Sequence, residues 1–230
     1  MANYALISYF LNFFNMDIAI KVENLSKHFM VPHDRENTLK GSFARLFRRG
    51  SYERLNVLKD ISFEVKKGEW LGIIGKNGSG KSTLLKILAG VYLQDSGGVV
   101  VHGRVVPFLE LGVGFMGDLT VRDNIYLNGI VLGMTHKQVR DKFNEIIRFA
   151  ELESFIDQKL KNLSSGMKMR LGFSIAMQVD ADIYIFDEVL SVGDFQFQQK
   201  TKSIFRAMKE KGKTIIFVSH DIGGIKEYCD

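Results

Sequence analysis

Residues 75–82, Gly-Lys-Asn-Gly-Ser-Gly-Lys-Ser, constrain this chain more than any other stretch. They meet the phosphate-loop template G-x-x-x-x-G-K-[ST] at every required position. The five residues before them (WLGII) read as a short buried strand, and residues 83–89 (TLLKILA) read as the start of a helix. That strand–loop–helix context is what the motif requires. Gly75, Gly78 and Gly80 let the backbone bend tightly and approach an anion. The N–H groups from Gly75, Lys76, Asn77, Gly78, Ser79 and Gly80, with those of Lys81, Ser82 and Thr83 at the helix start, then present positive potential to phosphates. Lys81 is placed to reach the β- and γ-phosphates of a nucleotide, and the Ser82 hydroxyl to hold Mg²⁺. A plain glycine-rich turn is the bland alternative, and the flanking strand and helix weigh against it.

A second stretch completes this chemistry. Residues 183–186 (IYIF) form an apolar strand that ends in Asp187 and Glu188. A strand of this kind delivers its last residues to the carboxyl edge of a parallel sheet, where ligands bind in open α/β folds. Asp187 there can contact a Mg²⁺ held by Ser82. Glu188 can polarise a water for in-line attack on the γ-phosphate. Two solvated acids at a strand end are common, so the phosphate loop upstream decides the reading. The last apolar strand (TIIFV, 214–218) runs into Ser219-His220-Asp221. At that edge His220 can bond the γ-phosphate and orient the water with Glu188.

The remaining chain bounds class more than function. A chain of 230 residues with 46% hydrophobic and 25% charged composition buries a sizeable core. Its net charge of +5 permits an anionic partner and selects none. The single cysteine, Cys229, forms no internal disulfide and fits a reducing compartment. No run reaches the ~18–20 apolar residues of a membrane span. Residues 4–14 are aromatic and apolar but lack a basic n-region and a small-residue cleavage site. They read either as a short surface helix or as an extension upstream of a start at Met16, the second being preferred. Between residues 28 and 51, Leu39, Phe43, Leu46 and Phe47 recur at helical spacing, with Lys40, Arg45, Arg48 and Arg49 between them. This basic amphipathic insertion either touches membrane headgroups or packs on its own domain.

Short strands are expected at 18–22, followed by a turn over 23–27, and at 57–65. A hairpin is expected from 99–101 to 105–109 across His102-Gly103-Arg104. Mostly helical structure follows from about 120 to 177. Strands alternating with helices imply a parallel sheet covered on both faces.

With Leu163-Ser164-Ser165-Gly166-Met167 in place, the motifs and their order resemble the ATPase domain of ABC transporters, from Met16 onward. The resemblance implies a P-loop NTPase fold of α/β class, with a mixed-sheet core and an inserted helical subdomain. Residues 1–230 then form one nucleotide-binding domain, with its core at about 17–112 and 178–230 and the subdomain at about 113–177. It implies ATP and Mg²⁺ as cofactors, Glu188, His220 and Lys81 as catalytic residues, and Ser164, Ser165 and Gly166 as a signature half-site at a helix start. That half-site is completed by the phosphate loop of a second copy, head to tail. Tyr52 falls where an aromatic ring stacks on adenine. Residues 191–194 (SVGD) occupy the loop that links the two sites. The family's usual glutamine after the hairpin region is replaced, and Glu110 stands nearest as a metal contact.

The Ser-Ser-Gly-Met signature, residues 110–115 (ELGVGF) and the Val-Gly-Asp run are similar to the polysaccharide-export branch of that family. This implies an ATPase peripheral to the cytoplasmic face of the cell membrane, bound to an integral permease and driving export of a lipid-linked polysaccharide such as O-antigen. The basic insertion fits the membrane-facing reading in that branch. A non-transport ATPase acting on ribosomes or DNA is the alternative, but no basic surface interleaved with aromatics points to nucleic acid. Members of the family continue beyond the position of Asp230.

Overall fold

Alternating side chains on two buried strands divide the core into two layers, one on each face of a parallel sheet. The computed structural model describes residues 17–32, 52–108, 114–187, 195–219, 226, 228 and 229. In chain order the elements are β1 (Ile18–Pro32), β2 (Tyr52–Lys66), β3 (Trp70–Ile74), α1 (Lys81–Leu88), β4 (Ser96–Val101) and β5 (Val105–Phe108). They continue with α2 (Val121–Val131), α3 (His136–Ala150), α4 (Ser165–Met177), β6 (Ile183–Asp187), α5 (Phe195–Glu210) and β7 (Thr214–Ser219).

Two sheets form. One is parallel, in the order β3-β7-β6-β5, and the other is antiparallel, in the order β2-β1-β4. Ile183, Ile185, Ile216 and Val218 point to one face of the parallel sheet and pack with α1 and the antiparallel sheet. Tyr184, Phe186, Ile215 and Phe217 point to the other face and pack against helices. Both faces are covered, which is why these strands read as unbroken apolar runs. On the helical side, α2 and α3 each begin with a capping box, Thr120 with Asp123 and Thr135 with Gln138. The expected apolar stripe of α3 (Val139, Phe143, Ile146, Ile147 and Ala150) is buried along its whole length.

Three expectations need correction. The 99–101 and 105–109 strands do not form a hairpin. β4 pairs with β1, whereas β5 pairs in parallel with β6. The three residues between carry the chain from one sheet to the other. Asp182 anchors that crossing by accepting the Arg104 N–H at 2.8 Å. Gly103 makes it possible, since its φ is +123° and a Cβ there would lie 2.8 Å from the Asp182 side chain. The strand from Ile18 also does not stop at Val22. It continues to Pro32 through a bulge at Asn24, whose φ of 49° breaks the alternation that marks a strand. β2 likewise begins at Tyr52, five residues earlier than its apolar alternation suggests.

Candidate nucleotide site

β3 ends at Ile74 beside Ser219 of β7, and Asp187 of β6 lies beside Val218. The parallel pairing therefore brings the loop after β3 and the end of β6 to one carboxyl edge. Between them opens a cavity of about 490 Å³ lined by Asn77, Gly78, Lys81, Ser82, Asp187 and, from β2, Val57. Thr83 and Gly80 also face it. The loop folds on itself, with the Ser79 N–H bonded to the Lys76 carbonyl at 3.2 Å. Lys81 Nζ donates to the carbonyls of Gly75 at 2.7 Å and Lys76 at 3.0 Å, so the ammonium lies across the loop. Ser82 Oγ donates to Asp187 Oδ2 at 3.2 Å. Two hard oxygens 105 residues apart in sequence thus share one corner of the cavity, the donor type that Mg²⁺ takes. No acidic residue sits in the first turn of α1, so the positive end of its dipole is left for a ligand.

The residues expected to form a second half-site lie elsewhere on the chain. Ser164 caps α4, its Oγ accepting the Met167 N–H at 3.2 Å. Ser164, Ser165 and Gly166 are all exposed, and a Cβ on Gly166 would meet nothing within 4 Å. None of the three lines the cavity at the phosphate loop.

The family description "ABC transporter" matches residues 58–191. The chain belongs to the ABC transporter family. It is 44% identical over 218 residues to an O-antigen export system ATP-binding protein, RfbB, of Klebsiella pneumoniae, covering 94% of this chain and 89% of that one. It is 45% identical over 197 residues to the protein of the same name in Myxococcus xanthus, spanning 84% of this chain but 45% of that protein's length. The teichoic acids export ATP-binding protein TagH of Lactococcus lactis is 40% identical over 213 residues, 93% of this chain and 46% of its own. Among solved structures, an ATP-binding cassette in a dimeric post-hydrolysis state with ADP and Pi superposes with a TM-score of 0.70 at 22% identity, over 91% of each chain. The fold of this ABC chain is therefore that of the family's ATPase domain.

The other expected site residues fall as follows. Glu188, His220, Glu110 and residues 191–194 lie outside the described residues, as do residues 1–16 and 33–51. Tyr52 opens β2 with 62% of its surface exposed and does not line the cavity. It stands five residues, about 17 Å of strand, from Val57. Val57 is the lining residue that sequence reading did not single out. Its contact with the loop joins positions far apart in the chain, and no local pattern marks it. Among the described residues no helix is long and apolar enough to cross a membrane.

Proposed function

We propose that this ABC chain is the ATP-hydrolysing subunit of an exporter that moves a lipid-linked polysaccharide, of the O-antigen class, across the cytoplasmic membrane. It works as a head-to-tail pair at the cytoplasmic face, docked on an integral permease. One observation carries the catalytic part: the exposed Ser164–Gly166 cap does not line the phosphate-loop cavity of its own chain. A second copy turned by a two-fold axis sets each loop against the other's cap and makes two complete pockets. The names and coverage of the relatives support the export part, above all the RfbB likeness over 94% of this chain.

Within each pocket the roles follow from geometry and residue chemistry. The Gly75–Ser82 backbone and the start of α1 cradle the phosphates. Lys81 exchanges its two loop carbonyls for phosphate oxygens. Ser82 and Asp187 would hold Mg²⁺, which when bound would offset phosphate charge. Glu188, the residue after Asp187, polarises the attacking water, and His220 orients it. Ser164, Ser165 and the Gly166 N–H close on the γ-phosphate from the opposing copy. Glu110 takes the place of the family's glutamine near the metal. The basic insertion of 28–51 faces the membrane side.

Glu188→Gln separates binding from chemistry. It is expected to bind Mg-ATP with parental affinity and to accumulate ATP-bound dimer in gel filtration, with turnover lost. Lys81→Ala is expected instead to weaken ATP binding itself in calorimetry. Parental turnover in Glu188→Gln sinks the base assignment. Co-purification of the chain with ribosomes rather than with a membrane permease sinks the export assignment.

A further inference from the structure

Behind the two half-sites three helices meet, and two layers of side chains join them. α3 is capped at its C-terminus by Glu151, with φ 58° and ψ 47°. That left-handed position is ordinarily filled by Gly or Asn, so a glutamate there carries a backbone cost. Its carboxylate earns the place by reaching two other helices. Oε2 accepts from Arg170 Nη1 of α4 at 3.1 Å, and Oε1 pairs with the Lys200 ammonium of α5. Just inward, Phe149 of α3, Phe173 of α4 and Phe197 of α5 form a triangle with ring centroids 5.3–6.1 Å apart. Each helix thus contributes one ring and one charged group to the same joint.

What these helices carry gives the joint its consequence. The N-terminus of α4 is the exposed signature half-site, and Arg170 lies about 8 Å further along its axis. α5 begins eight positions after Asp187, the metal-side carboxylate of β6. The aromatic triangle holds the helices together through one stacked and two edge-on contacts. The carboxylate adds a polar tie between α4 and α5. Without it, Arg170 of α4 and Lys200 of α5 lose the carboxylate that both reach. Arg170 is 18% exposed there, whereas Lys200 and Glu151 are 43% and 40% exposed, so the Arg170 arm is the less screened of the two.

We infer that Glu151 is a positioning residue that fixes the signature helix against α5, and so sets where the half-site stands relative to Asp187. The inference rests on the ATPase reading above for its effect on turnover, but not for its effect on helix placement.

Two variants and two readouts test it. Glu151→Gly removes the carboxylate while relaxing the left-handed backbone, and Glu151→Gln removes the charge at constant size. Both are expected to bind Mg-ATP within about twofold of parent and to turn over about tenfold more slowly, because small misplacements of a reacting group are costly. Glu151→Gly is expected to melt no lower than parent. Spin labels at Met169→Cys and Gln199→Cys, with Cys229→Ala, read the α4–α5 separation directly by pulsed dipolar spectroscopy. The distance distribution is expected to lengthen and broaden in Glu151→Gln. Parental turnover in both variants overturns the inference, as does an unchanged label distance. Loss of melting temperature and ATP affinity in step with turnover in both variants also overturns it, since that is plain structural support. A parent that hydrolyses no ATP defeats the ATPase reading instead, and the label distance still decides the role of Glu151.

Discussion

Gly80 closes the phosphate loop with φ +92° and hands the chain to α1 as its N-cap. A Cβ at this position would stand 2.8 Å from Leu58 Cδ2 and 2.9 Å from the Val57 carbonyl. The second contact is backbone and cannot swing away. Gly80→Ala therefore combines left-handed strain with a clash and is expected to cost about 1–3 kcal/mol. Any relief pushes β2 away from the cavity, so ATP affinity falls along with the melting temperature. Gly78 is the matching control. Its φ is +79°, but nothing lies within 4 Å of a Cβ built on it. Gly78→Ala is expected to carry the conformational cost alone, about 1 kcal/mol. Thermal melts of the pair, read with ATP titrations, separate the clash from the conformational term. Equal losses in the two variants sink the assignment.

Between elements, Asp95 ties the connection after α1 back to β1. Its Oδ2 accepts the His28 N–H at 2.6 Å and its Oδ1 accepts Lys27 Nζ at 3.0 Å. The His28 backbone bond first, and Lys27 second, hold this carboxyl below the usual aspartate range. The folded value is thus depressed relative to the unfolded chain. The bonds contribute at and above the unfolded value and are lost as pH falls through the folded one. The parent's melting temperature is expected to fall below about pH 4 more steeply than that of Asp95→Asn, with the two curves converging in acid. Parallel curves sink the claim. This contact also marks what could be read beforehand. The phosphate loop, the apolar stripe of α3 and the apolar strands 183–186 and 214–218 were legible because their signals are local, lying within one turn, one face or one apolar run. The Lys27–Asp95, Glu151–Lys200 and Val57–Gly80 contacts were not, because each joins residues far apart in sequence. The 99–109 segment misled for the same reason. A three-residue turn between apolar runs looks like a hairpin, and the partners that split it, Ala19 of β1 and Asp182 just before β6, are distant in sequence. Of the proposed site, the loop and Asp187 were legible and meet through Ser82. Tyr52 was placed by resemblance and lies away from the cavity.

For the whole molecule, the separation of the two proposed anion sites makes a prediction that no single-chain site shares. Lys81→Ala damages the loop half of a pocket, and Gly166→Asp damages the cap half. The second change is structurally mild, since Gly166 has open space around it and a carboxylate in the first turn of α4 suits the helix dipole. Its harm is electrostatic, because it places negative charge where phosphate must sit. Each variant alone assembles pockets that are all damaged and is expected to turn over little ATP. Co-expression of the two mixes subunits. In a mixed dimer, the intact loop of the Gly166→Asp subunit faces the intact cap of the Lys81→Ala subunit, and the other pocket carries both lesions. Random pairing leaves roughly a quarter of pockets whole. Turnover is therefore expected to recover toward that fraction in the mixture, and further when mixed dimers are isolated through two different tags. If each pocket lay within one chain, every pocket in the mixture would hold one lesion or the other, and activity would stay at the mean of the two inactive parents. Recovery on mixing is thus the signature of a shared pocket, and its absence would remove the head-to-tail pair from the mechanism.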